Sequence, residues 1–323
     1  MKSIVIAAAL FLAATGALAQ KTVLRFSTAA PPPDFLSRSL AQFKAELEKA
    51  APEFDVQVYA GSQLFRQGTE VPALQRGNLE MSTMTTFEVA QQIPEFGVFN
   101  RAYLFRDYEH AHKTFTGAVG KRYAEAVAQK MGIVILAPTY LGTRQVNLRA
   151  VREVKAPQDL AGVKMRMPAG PEWLLLGQAI GVTPTPMAMP EVYLALQTGS
   201  IDGQENPLTI LNAAKFHEVT KQVVMTSHLV QPVFMAVAKP YFDKLSAEQK
   251  KKLTDAAVNA AKWNDEQRLA DEQKVADGLA AKGLAVTRPD LAQFRANADK
   301  IYGASDMAKA WDKKLLDEVA AVR

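Results

Sequence analysis

From Ser246 the chain runs with no helix breaker until Gly278 and Gly283, and this run constrains the fold most. Ser246 followed by Gln249 forms a capping box, and apolar residues recur at helical spacing through Leu253, Ala257 and Ala260 or Ala261. About 36 residues rising ~1.5 Å each would extend ~54 Å. That exceeds the width of a compact domain, so the helix is expected to span two. Length agrees: setting aside a 19-residue leader leaves 323 − 19 = 304 residues, more than one core usually serves.

The leader reading rests on "MKSIVIAAALFLAATGALA", with Lys2, an apolar run from Ile4 to Leu12, and Ala17 and Ala19 flanking Leu18. This is the pattern of a cleaved secretory signal, and the run is too short to span a membrane. With no cysteine in the chain, disulfides, thiolate metal sites and cysteine nucleophiles are excluded. A periplasmic location is expected. The formal charge of +5 is spread through mixed runs such as Lys44, Glu46, Glu48 and Lys49, which read as solvated helix faces and not as a nucleic-acid stripe.

Along the chain, "TVLRFS", a helix opened by Asp34, "FDVQVY", and the helix and strand of "VPALQRGNLEMSTMT" give the order β, α, β, α, β. A second α/β unit is expected from about residue 143, with "MGIVILAPTYL" and "GTRQVNL" read as successive strands, then "GVKMRMP" and a helix over 171–180. "KQVVMTSH" and "QPVFMAVAK" read as two strands joined by a turn near 228–232. A "LAVTRPD" strand and helices near 291–302 and 306–322 close the chain.

Arg166 is the sharpest candidate for chemistry, lying between Met165 and Met167 on an apolar strand ended by Pro168. A guanidinium keeps its charge when buried and its planar fork suits a carboxylate, whether the protein's own or a ligand's. Arg144, after Gly142, opens another strand, as either a solvated cation or a second anion contact. In "GSIDGQENPL", Gly199 to Leu208, Asp202, Gln204, Glu205 and Asn206 crowd one apparent turn. Asn206, held extended before Pro207, offers an amide to a ligand, while Asp202 and Glu205 read as turn and cap formers. The four histidines do not assemble: His110 and His112 sit on different helix faces, and His217 and His228 lack partners at ligand spacing, so all four read as surface groups. There is no G-x-S-x-G elbow and no phosphate-cradling glycine loop.

Four segments together, "YLGTRQ", "LAGVKMRMP", "PTPMAMPEVYLALQTGSIDGQENPL" and "KFHEVTKQVVMTSH", closely resemble the solute-binding subunits of tripartite ATP-independent periplasmic (TRAP) transporters, of the DctP type. The likeness runs over essentially the whole chain after the leader. It implies an α/β, two-lobed periplasmic binding protein with a long helix spanning both lobes. Lobe I is expected over 20–142 plus about 228–265, and lobe II over 143–227 plus about 266–323. By the same resemblance Arg166 pairs with the ligand carboxylate, while Arg144 and Asn206 fall on further ligand positions. The implied function is capture of a small organic anion by a two-arginine clamp and delivery to an ion-gradient-driven TRAP permease, with the protein a monomer, not an enzyme, and without cofactor or metal. The alternatives are a ligand sensor for a membrane receptor and an enzyme acting on a small acid.

Departures from the sialic-acid-binding pattern bear on the ligand. Met189 replaces an aromatic residue, Thr85 an expected acid, Phe65 and Arg66 acids, and Ala169 an amide. They predict a cleft poorer in hydrogen-bonding groups, which argues against sialic acid. An inward Arg66 would favour a C4-dicarboxylate; Phe65, Phe87, Met189 or Trp173 filling the cleft would favour an apolar or aromatic monocarboxylate.

Overall fold

A computed structural model describes residues 21–323, so the expected leader lies outside the described residues. The first half holds β1 (Thr22–Ser27), α1 (Phe35–Ala50), β2 (Phe54–Tyr59), α2 (Glu70–Gln75), β3 (Met81–Thr85), α3 (Thr86–Ala90), α4 (Tyr108–Thr116), α5 (Ala118–Met131) and β4 (Ile133–Leu148). After it come β5 (Lys164–Met167), α6 (Pro171–Ala179), β6 (Thr183–Pro186), α7 (Val192–Thr198), β7 (Gly203–Pro207), α8 (Leu208–Ala213) and β8 (Gln222–Ala238). The chain ends with α9 (Lys239–Asp243), α10 (Ala247–Ala281), β9 (Ala285–Thr287), α11 (Leu291–Ala304), α12 (Asp306–Lys309) and α13 (Lys313–Ala321). Short 3-10 turns at Pro94–Asn100 and Met189–Glu191 matter below.

The strands form one mixed sheet in the order β2-β1-β3-β8-β4-β7-β5-β6, with β9 beside β8. β4 and β8 are its backbone. They pair antiparallel from Ile133 opposite Ala238 to Leu148 opposite Gln222. At one end β8 holds β3 and so the parallel β1 and β2; at the other, β4 holds β7 and so β5 and β6. Two lobes therefore share a central two-stranded ribbon, whose register shifts between Ile135 and Ala137, Tyr140 and Gly142, and Arg144 and Val146.

This ribbon corrects two expectations. The split within 131–148 and the turn near 228–232 do not occur, and each segment is one long strand. The polar residues that suggested a turn are paired inside: His228 with Glu205, and Gln231 with Arg144. Gly142, at φ 124°, does bend the chain, but within the strand. A Cβ there would meet the Pro207 ring at 2.4 Å, so glycine is required twice over.

α10 is 35 residues long and carries the expected capping box. Its Leu253, Ala257 and Ala261 share a core with Leu40, Phe43 and Leu47 of α1, whereas Val275, Ala276 and Leu279 share one with Val192, Leu208 and Ile210. The helix thus serves both lobes. Between those stretches it buries Asn264, Asp265 and Arg268. Asp265 accepts from Thr139 Oγ1 at 2.5 Å and Tyr140 N at 2.8 Å, and Arg268 pairs with Asp34, the N-cap of α1, at 2.6 Å while also reaching Thr209 of α8. The segment expected in lobe II over 266–323 divides: α11 lies on α6, whereas α13 lies on α5 and the 94–100 turn.

Candidate functional site

The lobes face each other across a cleft of about 390 Å³, a volume typical of small-molecule sites. The β1, β3 and α2–α3 side contributes Thr28, Thr83, Thr85, Glu70, Glu88, Gln91 and the loop residues Arg66 and Gln67. The opposite side contributes Arg166, Ala169, Gly170, Trp173, Met189 and Asn206, and the ribbon supplies Arg144 and Gln231.

Arg166 sits at the end of β5 and is 1% exposed. Its Nε donates to the Met187 carbonyl at 2.8 Å and its Nη2 to Gln67 Oε1 at 2.7 Å. Both acceptors are neutral, and among the described residues it forms no ion pair. Burial, and then the neighbouring Arg144 cation, push its pKa down to about 9. The protein has buried a cation without a directly paired anion; the carboxylates of Glu205 and Glu191 act on it only from beyond ion-pair distance, and burial outweighs them, a costly arrangement that an arriving anion would relieve.

Arg144 is buried to the same degree but fully provided for. Its Nε and Nη2 engage both carboxylate oxygens of Glu205, and Nη1 donates to Gln231 Oε1 at 2.6 Å. Its guanidinium also stacks over the Trp173 ring at 4.9 Å. Glu205 takes a further contact from His228 Nε2 at 3.0 Å. Burial alone would raise the Glu205 carboxyl; Arg144 and His228 outweigh it and hold the group below its ordinary range, while burial lowers the imidazole of His228. The two arginines are therefore not equivalent jaws. Two further expectations are corrected here: Glu205 is an internal counter-ion and not a turn former, and two of the histidines read as surface groups are buried, His228 wholly and His110 against the Val319 carbonyl.

The stretch "GQENP" is β7, buried along its length. Asn206 lines the cleft, and its amide donates to Gln204 Oε1 at 2.7 Å, leaving its second N–H for a ligand. Gln204 in turn donates to Asn147 at 3.0 Å, so the amide is set by a buried chain of hydrogen bonds. Asp202 holds the preceding turn by accepting from Lys164 N at 2.9 Å.

Of the other expected residues, Met189, Thr85, Trp173 and Arg66 line the cleft. Phe65 and Phe87 do not. Phe65 packs on the hydrophobic core, and Phe87 lies beneath Trp173, stacked at 3.6 Å between ring centroids, where it supports the wall without forming it. Arg66 stands at the rim and pairs at 2.6 Å with Glu191 of the facing lobe.

The cleft nonetheless carries hydrogen-bonding groups that the sequence reading passed over. Glu70, Glu88, Gln67, Gln91 and Gln231 supply what Thr85 and Ala169 lack. Glu88 accepts from Thr85 N at 2.9 Å and from its hydroxyl; Glu70 accepts from Gly68 N at 2.8 Å. Burial raises both carboxyls, Glu70 to about 7 with Glu88 adding to the shift. The sequence does carry a signal for Glu88, the Thr85-x-x-Glu88 capping box at the start of α3, and the sequence reading passed over it.

Comparison with known proteins places this geometry. The family described as bacterial extracellular solute-binding protein, family 7, matches residues 26–308. A TRAP periplasmic solute-binding protein of Roseobacter denitrificans, solved with bound 3-deoxy-D-manno-oct-2-ulosonic acid, is 40% identical with a TM-score of 0.90, over 94% of this chain and 100% of that one. The C4-dicarboxylate-binding periplasmic protein DctP of Rhodobacter capsulatus is 33% identical over 78% of each chain. The 2,3-diketo-L-gulonate-binding periplasmic protein YiaO of Escherichia coli K12 is 32% identical over 74% of this chain and 72% of its own.

Proposed function

We propose that this chain, which belongs to the bacterial extracellular solute-binding proteins of family 7, captures a sugar acid, a carboxylate on a polyhydroxylated body, in the periplasm. It is a TRAP-type solute-binding protein and not an enzyme; such proteins bind small organic acid anions and work with TRAP membrane permeases. The observation that carries the finer reading is Arg166, buried with neutral partners only and facing a cleft rich in acceptors. The ligand carboxylate takes the place of the missing counter-ion, Asn206 donates to it, and Glu70, Glu88 and Gln91 engage hydroxyls. Arg144, already neutralised by Glu205, shapes the floor and does not act as a second jaw. The bound acids of the Roseobacter and Escherichia relatives are both sugar acids, which supports the class.

A C4-dicarboxylate would need a second cation, and the one at the rim, Arg66, is engaged by Glu191. Calorimetry of the protein with ulosonic, aldonic and uronic acids, C4-dicarboxylates and aromatic monocarboxylates separates these ligands. Sugar acids should bind, and Arg166→Ala should weaken them about 100-fold, as expected for two charge-assisted hydrogen bonds of ~1.5 kcal/mol. Dicarboxylate binding with no sugar-acid binding would overturn the class; normal affinity in Arg166→Ala would overturn the site.

A further inference from the structure

We propose that Gln67 is a positioning residue for the carboxylate site, reaching from the opposite lobe to hold Arg166, so that recognition of the carboxylate and approach of the lobes become a single event. The inference rests on Arg166 being the carboxylate site. Gln67 belongs to the loop between β2 and α2, on the β1–β3 side of the cleft. Its Oε1 accepts from Arg166 Nη2 at 2.7 Å and from Met189 N at 2.8 Å, two donors of the facing lobe. Met189 N opens the 3-10 turn that also carries Glu191, the partner of the adjacent Arg66.

The loop is shaped for this reach. Gly61, Ser62 and Gly68 all lie at positive φ, and Thr69 donates back to the Arg66 carbonyl through both N and Oγ1, at 2.9 and 2.7 Å. The neighbouring Arg66–Glu191 pair is more than half exposed on the arginine side, so water screens it and it contributes little. The inner, partly buried end of the clasp is therefore the Gln67 amide.

The choice of amide is chemically specific. A guanidinium has five N–H donors. Here Nε goes to Met187 and one Nη2 hydrogen to Gln67, which leaves both Nη1 hydrogens and the second Nη2 hydrogen for a ligand. A neutral oxygen orients the fork without cancelling its charge. A carboxylate in the same place would cancel it and compete with the ligand, which makes the amide and the acid opposite in effect although nearly identical in shape.

The test uses the full chain, which has no native cysteine. Spin labels at Lys49→Cys and Leu194→Cys, exposed sites on α1 and α7, report the inter-lobe distance, and 3-deoxy-D-manno-oct-2-ulosonate is the binding probe. Gln67→Ala should raise the probe's dissociation rate about 10-fold, the worth of one charge-assisted hydrogen bond, with the association rate little changed, and lengthen the mean distance. Gln67→Glu should shorten the distance with no acid added and weaken the probe by more than about 100-fold, because the ligand must displace an internal carboxylate. A merely structural loop residue would not send the two variants in opposite directions. Equal distances in the wild type and both variants, or wild-type affinity in Gln67→Glu, would overturn the proposal. Should the probe not bind the wild type, the distances decide alone. Loss of binding in Arg166→Ala together with normal binding in Gln67→Glu sinks only the Gln67 inference, whereas normal binding in Arg166→Ala sinks the carboxylate site itself.

Discussion

Arg268, where α10 crosses between the lobes, and Arg166, on the wall of the cleft, are equally shielded from water, at 0% and 1% exposure. Their surroundings differ in one respect. Arg268 faces Asp34 through two hydrogen bonds, at 2.6 and 3.2 Å, and also donates to Thr209 and Asn264, while its Nε is buried without a partner. Arg166 faces only a peptide carbonyl and an amide. A cation that holds a fold together brings its own anion; a cation kept for a ligand is oriented by neutral groups and left with its charge open. Arg144 belongs with Arg268 on this scale, despite lying at the cleft.

The largest test of the contrast is Arg268→Ala. It strands Asp34 in the interior and should lower the unfolding free energy by ~3–5 kcal/mol in urea melts. A loss below ~1 kcal/mol would erase the distinction between the two sites.

Next in size is a pH effect from buried carboxyls that lack a cationic partner. Glu70, raised by burial to about 7, takes up a proton in the folded chain at pH values where the unfolded chain has lost it. The unfolding free energy should therefore fall as pH rises from about 4.5 to about 7, by on the order of 2 to 3 kcal/mol, and level off above. Glu172, on α6 and raised to about 7 chiefly by burial, should add a similar fall. Urea melts across this window should show Glu70→Gln and Glu172→Gln each removing a comparable part of the slope, with Glu88, also raised by burial, contributing to the remainder; an unaltered slope in both would show that these carboxyls are compensated after all.

Arg166→Met, measured without ligand, should leave the unfolding free energy within ~1 kcal/mol of wild type or raise it, because an uncompensated charge has been replaced by packing. The same variant should lose the ~2.7 kcal/mol of stabilisation that ligand at 100 times its dissociation constant confers on wild type. Destabilisation as large as that of Arg268→Ala would make Arg166 structural. Smallest of all, Arg66→Ala should change the unfolding free energy by less than ~0.5 kcal/mol, since its pair with Glu191 is largely in solvent.

The features legible in the sequence were those with a local signature. The capping box and apolar spacing of α10 gave its length and its span of both lobes, and two flanking methionines marked Arg166 as a buried charge. Features defined by distant partners were misread. His228, Gln231 and Glu205 look like turn residues when their neighbours alone are considered, because what buries them is one another across separate strands. Gln67 and Glu70 were passed over because a loop amide and a carboxylate at a helix start have ordinary local roles. Only the closing of β1–β3 against β5 and β7 turns them toward the cleft. Which loop residue faces the cleft decided Phe65 against Arg66 and Gln67, and the sequence alone leaves a loop's facing open; Phe87, on α3, is turned beneath Trp173.

The shared ribbon also governs the order in which the molecule can assemble. β3 finds its antiparallel partner in Val233–Val237, and α1, which packs on β1 and β2 through Phe26, Phe54 and Val56, shares that core with Leu253 to Ala261 as well. The first lobe, although it starts the chain, stays unfinished until α10 has appeared, and β9 must still lie down beside β8. Contacts so remote along the chain are made late and all together, so neither lobe exists as a separable half. A chain emerging residue by residue can pair β1 with β2 early, but the free edge of β3 waits for β8 and so stays open until roughly 150 further residues, about half of the described length, have followed it.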